Sequence, residues 1–201
     1  MKKYFWIFGA IVIVLSSCSS SPKVTRVDAG SQLDLSGFWN DADVRIVCDA
    51  LIADILKSPR VEQAIQRRGG KTPTVIVGRF RNESSEHIDT GIITTTMEAA
   101  IFNSGKLDFV AGGATRDELR DERLDQLAYA SEDTAASIAN EVGADFMLTG
   151  TVRSIVEKSG NQTVRTYFIN AEMTDIETSQ RIWMNTNSDI KKVIVQPRNK
   201  L

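Results

Sequence analysis

The sequence predicts an α/β fold of α+β-like character: a mixed β-sheet with helices packed on it. Three observations predict it. Helical and strand-like patterns alternate through the first two thirds of the chain, as in βαβ crossovers. The last third changes to strand-like segments separated by turn signals, as in an antiparallel meander. Of 201 residues, 42% are hydrophobic and 25% charged, the balance of an ordinary globular core.

The amino-terminal segment is expected to be a targeting signal. Lys2 and Lys3 precede a nearly continuous apolar run, Tyr4 to Leu15. As a helix that run reaches roughly 18 Å, short of a hydrocarbon core of about 30 Å. A secretory signal fits it better than a membrane span. Leu15-Ser16-Ser17-Cys18 follows, and it resembles the lipobox of bacterial lipoproteins. The resemblance implies lipid on the Cys18 sulfur, cleavage after Ser17 and acylation of the new amino group. Several acyl chains together anchor a protein firmly, whereas one holds it only marginally. Ser19, in place of an Asp, implies export to the outer membrane, with the periplasmic face as its default. The expected organisation is a signal peptide over 1–17, a lipidated amino terminus and short tether over 18–36, and a globular domain over 37–201. About 15 extended tether residues reach roughly 50 Å.

The domain elements follow in order. Asn40 is placed to cap a helix, with Asp41 and Asp43 in its first turn. Val44, Val47, Leu51 and Ile55 form its apolar stripe, and Cys48 beside them reads as a small buried hydrophobe. Ser58-Pro59 starts a second, short helix that ends at Gly69-Gly70. Thr74 to Phe80 is β-branched and apolar, a strand; Arg81 to Asp89 is a polar loop. Thr90 to Asn103 is helical, with Gly105 as its stop. Lys106 to Ala111 is a second strand. Thr115-x-x-Glu118 has the form of a capping box for a charged helix over Arg116 to Ala130. Ser131 caps a further helix with Ala135, Ile138, Ala139 and Val142 as its packing face. Ala144 to Lys158, Thr163 to Thr174 and Arg181 to Ile190 are the strands of the meander, with Gly160-Asn161 as a hairpin turn.

Composition excludes several functions. Lys and Arg number 24 against 26 Asp and Glu, a net charge of −2, which lacks the basic footprint of a nucleic-acid-binding protein. One histidine and two cysteines argue against a structural zinc site, so no metal and no cofactor are expected. Gly112-Gly113 lacks the spacing and lysine of a phosphate loop. His87 lies among Ser84, Ser85, Glu86 and Asp89, which invites a catalytic relay. Sequence neighbours rarely converge on one triad, because its members must point at each other from separate elements. No enzyme activity and no small-molecule substrate are therefore expected. Capping of the next helix by Asp89 explains the loop better, and a partner contact is the other use of it. Arg79 and Arg81 alternate with Phe80 and can meet an acidic partner. Arg79, Arg81, Glu86 and His87 are the candidate partner-binding residues.

Four segments together resemble the LpoB family: GRFRNESSEHID over 78–89, NSGKLDFV over 103–110, GADFMLTG over 143–150 and DIETSQRIW over 175–183. The likeness covers about residues 33 to 192. It implies a domain like the amino-terminal domain of TolB and no catalysis. It also implies an outer-membrane lipoprotein that docks on a penicillin-binding protein, a bifunctional peptidoglycan synthase, and stimulates it. The tether is shorter than the Pro-rich one many such proteins carry. The alternative on the same fold is a non-catalytic envelope adaptor or assembly lipoprotein with a different partner.

Overall fold

A computed structural model describes residues 25–28, 30–110, 112–127 and 143–197. The expected signal segment, Cys18 and the helix after Ser131 lie outside the described residues. The chain divides into two compact units, Met1–Ser31 and Gln32–Leu201. In the first, Asp28 organises a turn: its carboxylate accepts the Gly30 N–H at 2.7 Å and its carbonyl accepts the Ser31 N–H at 3.0 Å.

The second unit carries the fold. Helix α1, Asp41–Ile55, starts at a reciprocal capping box. Asn40 Oδ1 accepts the Asp43 N–H at 3.1 Å, and Asp43 Oδ2 accepts the Asn40 N–H at 2.9 Å. Helix α2, Pro59–Arg67, has Ser58 as cap and proline at its first position. Helix α3, Thr90–Ser104, is capped by Asp89, and Gly105 closes it with φ +62°. That left-handed conformation is one glycine adopts without a Cβ clash. Helix α4, Gly113–Leu127, begins two residues ahead of Thr115. Thr115 therefore lies inside the first turn, and the expected capping box does not mark the start.

Among the described residues six strands form the sheet: β1 Thr74–Asn82, β2 Asp108–Phe109, β3 Phe146–Ser159, β4 Gln162–Asp175, β5 Arg181–Asn187 and β6 Lys191–Val195. Their order is β2-β1-β3-β4-β5, with β6 also on β4. β1 pairs parallel with β2 and β3, and the pairs around β4 are antiparallel. The mixed sheet matches the fold class expected from the sequence. Gly160-Asn161 closes the β3–β4 hairpin, with Gly160 at φ +57° in the first central position.

One strand was not foreseen. The expected strand over Arg181 to Ile190 ends at Asn187, and a separate β6 follows. Asn187 makes the break: its side-chain Nδ2 donates to Asp189 Oδ2 at 2.7 Å and its side-chain Oδ1 accepts the Asp189 N–H at 3.2 Å. The chain then returns to the same side of β4. β5 covers Ile169–Thr174 of β4, and β6 covers Gln162–Thr166. The expected second strand also contracts to the two residues of β2.

Helices α1 and α3 pack on one face of the sheet. Val47, Leu51 and Ile55 of α1 and Ile93, Met97 and Ile101 of α3 are fully buried against Val75, Phe146, Leu148, Tyr167, Ile169 and Met173. Each such aliphatic side chain contributes roughly 1.5–3 kcal/mol by leaving water. Cys48 lies in this layer, and burial, then the charge of Asp49, pushes its thiol up to about 12.

The segment before α1 lies across the same face as a strap. Lys192 of β6 is buried beneath it, with Nζ 2.6 Å from Asp34 Oδ1, 2.6 Å from Asp43 Oδ2 and 2.8 Å from the Phe38 carbonyl. The guanidinium of Arg165 stacks on the Phe38 ring at 4.0 Å, and Trp39 meets Tyr167 edge-on at 5.2 Å. Gly37 at φ +69° lets the strap pass against the Ile194 side chain. Contacts of the fold thus reach back to Leu33, whose carbonyl accepts the Asn40 side-chain amide at 3.3 Å, and to Asp34.

Candidate functional site

The opposite face of the sheet carries an arginine-lined groove, and a β-bulge creates it. Val77 pairs with Leu148, but the next partner of Gly150 is Phe80, so β1 spends one residue more than β3. A bulge of this kind re-aims side chains. Phe80 turns to the helix side and is buried, while Arg79 and Arg81 stay exposed. Gly150 makes room for it: a Cβ there would collide with the Phe80 ring and lie 2.6 Å from the Asn170 carbonyl.

Cross-strand register brings Arg153 of β3 and Arg181 of β5 to the same groove, which encloses about 700 Å³. Thr149, Thr151 and Asn170 also line it. Two acids answer part of the charge. Arg153 Nη2 lies 2.7 Å from Glu83 Oε2, and Arg181 Nε lies 2.8 Å from Glu172 Oε2. Arg81 lies 3.7 Å from Glu83. The Arg79 side chain has no ion pair or hydrogen bond among the described residues. Four guanidinium groups thus face two carboxylates. At exposed positions such pairs are worth little to stability, so the surplus positive charge is available for recognition.

The structure separates the four candidate residues. Arg79 and Arg81 meet in the groove. His87 is exposed on the loop after β1. Glu86 does not belong with them, and its assignment as a partner contact is corrected here. Its side chain is only 7% exposed and is committed to the interior. It accepts the Tyr167 hydroxyl at 2.8 Å and the Trp39 N–H at 3.3 Å. Arg165 Nη1 lies 3.0 Å from it as a charge contact, out of line for a hydrogen bond. Burial, then the Glu86 hydrogen bond, raises the Tyr167 hydroxyl well above its usual range. Arg153 and Arg181 were the residues missed. Their signal was two-residue alternation along β3 and β5, readable only once the register with β1 is known.

A second groove, of about 820 Å³, lies on the other side of β5. Asp54, Lys57, Pro59 and Arg60 from the α1–α2 junction face Trp183 across it. Asp54 Oδ2 accepts the Trp183 indole N–H at 2.8 Å and the Asn185 amide at 3.0 Å. Among the described residues no three His, Cys, Asp or Glu side chains converge as a metal site would require.

A family model described as the peptidoglycan-synthase activator LpoB matches residues 43–188. The chain belongs to the LpoB family. Among solved structures it is similar to the LpoB C-terminal domain from Escherichia coli, at 18% identity and a TM-score of 0.44, covering 77% of this chain and 99% of that one. The LpoB C-terminal domain from Salmonella enterica matches at 18% identity and a TM-score of 0.42, with the same coverage. TolB from Acinetobacter baumannii matches at 13% identity and a TM-score of 0.29, covering 60% of this chain and 23% of that one. No curated protein matches the sequence. The LpoB match runs from the first turn of α1 to just past β5, so the bulge and both grooves lie within it. LpoB is a family of activators, and its name ties the domain to peptidoglycan synthesis.

Proposed function

We propose that this protein is a non-catalytic outer-membrane lipoprotein that activates a bifunctional peptidoglycan synthase, a penicillin-binding protein, by direct contact from the periplasmic face. The family match over residues 43–188 carries the reading. The lipobox at Leu15-Ser16-Ser17-Cys18 supports the anchor, with residues 1–17 removed, Cys18 lipidated and the residues between it and the strap serving as tether. The globular domain over 37–201 presents the contact surface. Arg79 and Arg81 form its centre, Arg153 and Arg181 extend it, and His87 stands on the neighbouring loop.

Activation without chemistry requires differential binding. The domain shifts a synthase only as far as it prefers the active conformation over the resting one. The sheet backbone beneath the arginines suits this, since it needs little reordering on binding even though each exposed arginine gives up side-chain freedom.

The test is co-purification from detergent-solubilised envelope, followed by glycan polymerisation with and without the full chain. Recovery of a synthase and a faster polymerisation rate are expected. Absence of both would remove the proposal.

A further inference from the structure

The open face of the sheet carries an apolar patch beside the arginine groove. Residues opposite each other on neighbouring strands point to the same face. Arg153 of β3, a groove residue, stands opposite Phe168 of β4. The next row on that face is Ile155, Thr166 and Lys191, on β3, β4 and β6 in turn. The row after it is Glu157, Val164 and Val193, and Val195 lies two residues further along β6. Ile155, Val193 and Val195 are each more than half exposed, and Val164 and Phe168 are half-buried. The strap lies on the other side of these strands, over Lys192 and Ile194. A lone exposed aliphatic side chain is ordinary, but several joined on one face mark a place where another surface sits.

Charge says which surface. Arg79, Arg81, Arg153, Arg181 and Lys191 stand on this side against Glu83, Glu157 and Glu172. The Arg79 and Lys191 side chains have no ion pair or hydrogen bond among the described residues. Arg153 and Lys191 border the patch at its groove end, so the cations and the aliphatic side chains form one continuous surface. A second copy set against this face would bring two cationic surfaces together, which opposes association. Proteins that rest on a membrane interface favour Trp and Tyr there, and the patch has neither. A protein surface with an apolar centre and carboxylates at one border complements both halves.

We propose that the open face over β3, β4 and β6 is the apolar half of a protein-docking surface, whose partner presents apolar side chains flanked, toward the arginine groove, by Asp and Glu. This deepens the activator reading, because it rests on the arginine groove being the docking surface and gives the partner's chemistry. Ile155, Val193 and Val195 supply affinity by leaving water, and the cations fix orientation and speed the encounter.

The test installs a benzophenone amino acid in the full chain in its native cells, in place of Ile155, of Val193 or, as a control on the outer side of α3, of the exposed Phe102. Illumination links the probe to whatever lies against it, and mass spectrometry maps the point of insertion. Positions 155 and 193 are expected to link to one and the same protein, at least about tenfold more than position 102, within a segment where apolar residues adjoin Asp or Glu. Ile155→Asp and Val193→Asp should each lower recovery of that protein by about tenfold or more, with the melting temperature within about 2 °C of wild type. Links between two copies of the chain, links to lipid alone, no links, equal linking from position 102, or an insertion point without acidic neighbours would overturn the proposal. So would full recovery with both Asp variants. A mapped partner of the expected chemistry that is not a synthase leaves this inference standing and removes the activator reading. A synthase that links from position 102 and not from 155 or 193 does the reverse.

Discussion

Lys192 Nζ lies 2.6 Å from Asp43 Oδ2, joining β6 to the first turn of α1 with both side chains buried. Removing one member of a buried pair leaves the other charged and unsolvated, which costs about 3–5 kcal/mol. Lys192→Met is expected to lower stability by about that much and to free the strap. Urea denaturation gives the first outcome. Limited proteolysis gives the second, as new cleavage over residues 33–38.

Glu86 and His87 are adjacent yet opposite in role. Glu86→Ala would leave Arg165 without its counter-charge and the Tyr167 hydroxyl without its acceptor, so a loss of roughly 3 kcal/mol is expected. His87→Ala should change stability by no more than about 0.5 kcal/mol. Paired thermal melts decide between them, and equal effects would contradict the burial of Glu86.

The groove arginines are placed for recognition. Arg79→Glu, at a side chain without an internal partner among the described residues, is expected to leave the melting temperature within about 2 °C of wild type. It should abolish stimulation of the synthase in a polymerisation assay. An Arg79→Glu protein that folds and still stimulates fully would exclude Arg79 from the contact.

Asp175 sets an acid limit. Burial raises its carboxyl, but the Thr178 N–H at 2.9 Å and Arg68 Nη2 at 2.9 Å outweigh that and hold it below its ordinary value. A depressed folded-state pKa contributes stability above the unfolded value, about 3.9, and loses it as pH falls through the folded value. Urea midpoints at pH 6 and pH 3 should differ more for wild type than for Asp175→Asn.

Thiol counting reports on both cysteines. Cys48 is fully buried with its thiol pushed up to about 12, so a thiol reagent should leave it unmodified in the native protein. In denaturant, material isolated from membranes should titrate one thiol per chain on the proposal that Cys18 carries a lipid thioether. Two thiols would refute the lipidation.

Much of the scaffold was legible because its signals are local. Asn40, Ser58 and Asp89 cap the helices that periodicity outlined, and Gly105 and Gly160 take the positive φ that a helix stop and a tight turn require. The strap, the bulge and β6 were not legible, since each depends on partners far along the chain. Lys192 meets the Phe38 carbonyl across 154 residues, and nothing near either residue announces it. Asn187 reads as one more strand residue until its turn with Asp189 is seen. Of the candidate site, Arg79 and Arg81 stood out beside Phe80. Arg153 and Arg181 became neighbours only through sheet register, and Glu86 looked exposed because its loop is polar in composition.

The β3–β4 hairpin also sets an order of assembly. Its residues pair continuously from Ser159 and Gln162 outward to Phe146 and Asp175, across a two-residue turn. Closing so short a loop is cheap, whereas β1 reaches β3 through links such as Thr74 to Asp145, 71 residues apart. The hairpin should therefore be the nucleus on which the parallel half condenses. Mutations near Gly160 will then slow refolding, and mutations in β1 will chiefly hasten unfolding.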